Sequence, residues 1–141
     1  MTEISETWHA SCVAVAGRGV LILGASGAGK SALALQLMAY GAVLVADDRV
    51  IVSRQGPEIF ADSPPRIRGL IEARNIGILN AEPHGLVRIH LLVDLDQSEL
   101  QRLPPNRQQP VLGVPIDLVF KVSGGHFPAA ILHYLKAGRA E

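Results

Sequence analysis

The chain has a single cysteine, Cys12, so it closes no disulfide within itself, and a reducing compartment is its natural setting. Lying between Ser11 and Val13 in an apolar stretch, the thiol reads as core filler and not as a nucleophile. Net charge is missing too. Thirteen basic and 13 acidic residues cancel, which removes the electrostatic footprint of a protein that binds nucleic acid or an anionic membrane. No apolar run is long enough for a membrane-spanning helix, since the best stretch, 13–23, is broken by Gly17, Arg18 and Gly19. Residues 1–7 are polar and acidic, not basic and then apolar, so the sequence predicts no secretory signal and a cytoplasmic protein. His84, His90, His126 and His133 lack the spacing of metal ligands and read as structural.

What is present is enough apolar material for a real core. With 48% apolar and 18% charged residues over 141 positions, the composition predicts one compact domain covering residues 1–141. The chemistry concentrates in Gly24-Ala25-Ser26-Gly27-Ala28-Gly29-Lys30-Ser31, a complete G-x-x-x-x-G-K-[ST] phosphate-binding pattern. Val20–Leu23 before it reads as a buried strand. Leu33, Leu35, Leu37 and Met38 after it lie among alanines in a proline-free run of high helix propensity. Strand, glycine loop and helix are what such a site requires. Glycines let backbone N–H groups turn toward phosphate oxygens, and the helix N-terminus adds partial positive charge at the same point. Lys30 is placed to reach the β- and γ-phosphates, and the Ser31 hydroxyl to help hold Mg²⁺. The expected ligand is a nucleoside triphosphate, with Mg²⁺.

Along the rest of the chain, Ser11–Ala16, the turn at Gly17-Arg18-Gly19 and Val20–Leu23 predict a hairpin. The helix after Lys30 should end near Tyr40 with Gly41 as its cap. Residues 42–46 predict a second buried strand, and residues 50–53 and 58–61 two more around a turn at 54–57. Asp62–Gly69, with Pro64-Pro65, reads as an exposed, semi-rigid loop. Residues 70–81 carry no assignable element. Residues 86–95 predict a strand, 96–109 a loop around one helical turn, 111–122 an interrupted strand and 127–137 a closing amphipathic helix. Strands outnumber helices and several connect through tight turns, so the fold class is α/β, a P-loop domain with a mixed, hairpin-rich sheet and few helices.

Asp47-Asp48 closes the second buried strand. In open α/β sheets ligands sit at the carboxyl ends of strands, where the glycine loop and this pair both emerge. One carboxylate can contact the metal, directly or through water, while its neighbour accepts a proton from an attacking hydroxyl. The plainer alternative is an acidic turn with an ion pair to Arg49. Taken alone, Glu72 reads as a surface partner of Arg74, and His9 as an ordinary exposed histidine.

Together, four stretches resemble the catalytic domain of the bacterial HPr kinase/phosphorylases. They are His9 with the hairpin after it, Gly24–Ser31, Gly41 through Val45-Ala46-Asp47-Asp48-Arg49, and Leu70-Ile71-Glu72-Ala73-Arg74-Asn75-Ile76-Gly77-Ile78-Leu79-Asn80. The last is similar to the family's signature segment, with Asn75 where a glycine is usual; beyond Leu95 the likeness fades. The resemblance implies an ATP- and Mg²⁺-dependent enzyme that phosphorylates a serine of the small phosphocarrier HPr in a regulatory phosphotransferase system. It implies Asp48 as proton acceptor, Asp47 assisting at the metal, Lys30 on the phosphates, Ser31 and Glu72 as Mg²⁺ ligands, and His9 as an active-site residue. The chain looks like the short form, without the N-terminal domain of longer members. Those assemble as hexamers, so a homo-oligomer is among the implied partners. Phosphorolysis is tied in them to a C-terminal region with a loop arginine, and no arginine stands in 120–125 here. Two other functions use the same loop: a small-molecule kinase, which would need a lid, and a nucleotide-binding regulatory module without turnover.

Overall fold

A computed structural model of the chain describes residues 4–141. In chain order the elements are β1 (Ile4–Trp8), β2 (Ser11–Val15), β3 (Arg18–Leu23), α1 (Lys30–Ala39), β4 (Val43–Ala46), β5 (Val50–Gln55) and β6 (Glu58–Asp62). There follow β7 (Leu70–Ala73), β8 (Gly77–Asn80), β9 (Val87–Ser98), β10 (Arg107–Val111), β11 (Val114–Lys121) and α2 (Phe127–Ala137). Nine strands make one sheet in the order β1-β5-β6-β9-β3-β2-β4, with the β10–β11 hairpin joined to β9 through β11. β7 and β8 form a separate two-stranded sheet. The sheet is mixed, as the hairpin-rich sequence implies.

Both faces of the central strands are covered, which is why they read as unbroken apolar runs and not as alternating ones. Val13, Val20, Ile22, Leu91 and Val93 face α1 and α2, packing on Leu33, Leu37, Ile131 and Leu135. On the opposite face Cys12, Leu21, Val45, Val52, Ile59 and Leu92 share one cluster. Strands from both ends of the order, β4 and β5, meet in that cluster, so the sheet curls around a core of its own. Full burial pushes the Cys12 thiol far up from its ordinary value, in keeping with a filler role.

Local chemistry accounts for the turns. Ala16 and Gly17 both take positive φ, 52° and 73°, giving the two-residue β2–β3 hairpin one residue earlier than the glycines suggest. α1 ends as expected: the amides of Gly41 and Ala42 reach back to the carbonyls of Met38 and Leu37, with Gly41 at φ 108°. The interrupted strand of the sequence reading breaks at Leu112-Gly113 (φ 49° and 84°), a second tight hairpin, and α2 falls where the amphipathic pattern puts it.

One expectation needs correcting, and one unassigned segment takes a definite form. Residues 96–109 hold no helical turn; β9 runs on to Ser98, paired with Lys121 of β11, and Arg107 opens β10. β10 is an edge strand that tolerates Pro110, and its Arg-Gln-Gln-Pro start carries no apolar alternation to announce it. Residues 70–81 form the β7–β8 hairpin. Asn75 sits in its turn at φ 67°, a left-handed conformation that glycine and asparagine tolerate best, so asparagine suits the position.

Candidate functional site

Antiparallel β2 lies between β3 and β4, while β3, β9 and β11 run parallel to one another. The carboxyl ends of β3, β4, β9 and β11 therefore share one edge of the sheet, and the glycine loop leaves β3 at that edge. Gly24 takes φ 155°, and a Cβ there would lie 3.0 Å from Ala28 Cβ and 3.3 Å from Leu95 Cβ, so the loop starts where only glycine fits. Gly27 and Gly29, at φ 85° and 103°, face open space. The Lys30 side chain, 7% exposed, arches back so that Nζ donates to the carbonyls of Gly24 (2.7 Å) and Ala25 (3.1 Å). The Ala25 amide donates to both carboxylate oxygens of Asp96, each at 3.0 Å.

The adjacent aspartates have opposite surroundings. Asp47 is 6% exposed. Its Oδ1 accepts from the hydroxyls of Ser31 (2.6 Å) and Ser11 (2.7 Å), and its Oδ2 from the Glu72 amide at 3.0 Å. One carboxylate thus ties the start of α1 to β2 and β7. Asp48 follows at φ 70°, and the Arg49 amide closes on the Asp47 carbonyl at 2.8 Å, a three-residue turn centred on Asp48. That turn sends the second carboxylate outward. Its side chain is 64% exposed and meets His9 Nε2 at 2.9 Å. A left-handed non-glycine residue carries a strain of about 1–3 kcal/mol.

His9, Lys30, Ser31, Asp48, Glu72 and Arg74 line one cleft of about 420 Å³ beside the glycine loop. Of the residues singled out for the site, His9, Ser26, Gly27, Gly29, Lys30, Ser31, Asp48 and Glu72 line this cleft, and Asp47 joins it through its bond to Ser31. Of the plainer alternatives, the acidic turn forms and His9 is exposed, but the ion pairs do not: among the described residues Asp48 pairs with His9 and not with Arg49, and Glu72 makes no ion pair with Arg74. Two participants were missed. Ser11 reads as the first residue of an apolar strand, and Asp96 as part of a polar loop. The available signal for Asp96 was its place immediately after the predicted strand 86–95, as Asp47 immediately follows β4.

A glycine loop between a parallel strand and a helix, with carboxylates at the ends of neighbouring strands in a mixed sheet, defines an α/β domain of the P-loop kinase class. Within that class the chain belongs to the family described as HPr Serine kinase C-terminal domain, whose model matches residues 2–119, well past Leu95, beyond which the resemblance in the sequence fades. An HPr kinase/phosphorylase of Aromatoleum aromaticum is 39% identical over 147 residues, covering 92% of this chain and 47% of that protein. Another, from Ralstonia nicotianae, is 37% identical over 139 residues, covering 89% and 43%. The chain spans less than half the length of these curated relatives. Among solved structures, the HPr(Ser) kinase/phosphatase from Coxiella burnetii superposes with a TM-score of 0.77 at 23% identity, covering 93% of this chain and 94% of that one, a likeness of fold. No helix among the described residues is long and apolar enough to cross a membrane.

Proposed function

We propose that this domain is a protein-serine kinase that transfers the γ-phosphoryl group of ATP, with Mg²⁺, to an HPr-like phosphocarrier. The observation that carries the reading is the Asp48 carboxylate, solvent-facing and bonded to His9 at 2.9 Å, in the same cleft as Lys30 and Ser31. A general base must stand open to its substrate, and Asp48 does. The names of the relatives supply the substrate class.

The residues fit the nucleotide and the metal. Gly27 and Gly29 leave a cradle that side chains would fill, and Ser31 with Asp47 forms a hydroxyl–carboxylate pair at 2.6 Å. Among the described residues no three His, Cys, Asp or Glu side chains converge on one point. That suits Mg²⁺, which is typically held by one or two protein groups plus substrate phosphates. Ser31 would be its direct ligand, with Glu72 across the cleft, and Asp47 would orient Ser31 from beneath. When bound, Mg²⁺ neutralises charge on the transferring phosphate. Lys30 swings from the loop carbonyls onto the β- and γ-phosphates. Asp48 takes the proton of the serine hydroxyl as its oxygen bonds to the γ-phosphorus; the bond from that phosphorus to the bridging oxygen breaks and ADP leaves. His9 holds Asp48 in line.

A protein acceptor is favoured over a small molecule because the two segments that could serve as a lid, 62–69 and 96–109, are short and braced by side-chain bonds. Residues 62–69 are pinned by the Arg68–Asp62 ion pair and by Arg68 on the Ser63 carbonyl. Within 96–109, Arg107 donates to Glu99, and Arg139 donates to the Pro104 carbonyl. Exclusion of water is then left to the docking partner. The test is transfer of ³²P from γ-labelled ATP to an HPr-like protein, with Mg²⁺ and with chelator, followed by a chase with excess phosphate. Mg²⁺-dependent label on a serine is expected, and label that survives the chase marks a kinase without phosphorolysis. ATP bound with no label would shift the reading to a small-molecule kinase or a regulatory module.

A further inference from the structure

We propose that the nucleoside end of the nucleotide binds in a second cavity, on the far side of the glycine loop from Asp48, with Tyr40 as the base-stacking residue. The inference rests on the nucleotide reading above and extends it to a subsite. Along the sheet edge the order is β4, β2, β3, β9, β11. The reacting groups, Asp48, His9 and Glu72, all lie on the β4 side of β3. A triphosphate with its γ-phosphate toward Asp48 and its chain over the loop must leave its nucleoside toward β9 and β11.

A cavity of about 310 Å³ lies there, between α1 and the segment 121–125 that follows β11. It shares Gly29 and Ala32 with the reaction cleft, so the two are continuous across the start of α1. Cavities of about 300–1,000 Å³, mostly apolar with a few polar groups, are the usual form of a small-molecule site. Leu95, Val122 and Pro128 supply apolar walls, and Gln36 and Lys121 are the polar side chains. Ala32, Gln36 and Tyr40 recur every fourth residue on one helix face, a span of about 12 Å at the α-helical rise, room for a ribose and then a base. Tyr40 is 59% exposed, an aromatic ring left open at the rim. A ring face stacks on any base, whereas the Gln36 amide offers one donor edge and one acceptor edge, so binding of nucleosides with modest preference among bases is expected.

The probes are MgATP and magnesium tripolyphosphate, titrated by calorimetry into the wild-type chain and into Tyr40→Ala, Tyr40→Phe and Gly125→Trp. Wild type should bind ATP more tightly than tripolyphosphate. Tyr40→Ala should weaken ATP by about tenfold, the scale of one base–aromatic stack, with tripolyphosphate unchanged and Tyr40→Phe restoring the affinity. Gly125→Trp, at a position with no atom within 4 Å of a new Cβ, should fill the cavity and separate the two ligands in the same way. Equal wild-type affinity for both ligands would overturn the subsite while leaving the nucleotide reading intact, as would equal losses for both ligands in the variants. Wild type binding neither ligand would overturn both.

Discussion

The two sides of the glycine loop are built differently. Toward β4 the polar side chains are tied to one another: Ser11, Ser31 and the Glu72 amide converge on Asp47, and His9 meets Asp48. Toward β11 the walls are apolar, with Gln36 and Lys121 at their edge. A side that must hold atoms in register for a reaction needs fixed hydrogen bonds, which cost little reorganisation when charge moves. A side that only holds a ligand can rely on shape and contact. The β4 side also carries the strain, in the left-handed Asp48, as functional sites tend to.

The comparison breaks hardest at Lys30, which stands between the two sides. Lys30→Ala should lower transfer by about 10²–10³-fold and weaken MgATP binding with it, measured by single-turnover transfer and calorimetry. Loss of transfer with undiminished ATP affinity would mean that Lys30 does not hold the ground-state phosphates. Next comes Asp47, whose removal leaves three donors without their acceptor, the fully buried Ser11 hydroxyl among them. Asp47→Ala should lower unfolding stability by about 3 kcal/mol in urea, since each unsatisfied buried donor costs roughly 1–3 kcal/mol; Asp47→Asn, keeping one acceptor, should recover part of it. The smallest effect belongs to the β11 side. Hydrogen bonds from Arg107 hold the Glu99 carboxyl below its ordinary value of 4.5. A depressed carboxyl contributes stability above that ordinary value and loses it as pH falls through the lowered one. Thermal melts should therefore show wild type above Glu99→Gln at pH 7, with the gap closing under acid. A gap that does not narrow as the pH is taken progressively below 4.5 would remove the ion pair from the account.

Much of the fold was legible because apolar runs and glycines mark it. The β2–β3 hairpin, the Gly41 cap of α1 and the whole of α2 follow from such signals. β8 is exposed at all four residues and β10 begins with three polar ones, so neither carries a burial pattern to read. At the site, the glycine loop and the paired aspartates were legible as residue types in the right order. Their division of labour was not. It depends on the sign of φ at Asp48, which turns one carboxylate inward and its neighbour outward, and on Ser11, brought in from another strand.

Asp48→Asn tests the central claim most directly, with transfer rate, MgATP affinity and melting temperature measured on one preparation. The substitution keeps the side chain's shape at an exposed position, so stability should stay within about 0.5 kcal/mol of wild type. ATP affinity should stay within about threefold, and serine phosphorylation of the carrier should fall by about 10²–10⁴-fold, the usual weight of a positioned general base. Transfer at a near-native rate, with ATP still bound, would contradict the assignment of Asp48 as the proton acceptor and leave the β4 side without its proposed chemistry.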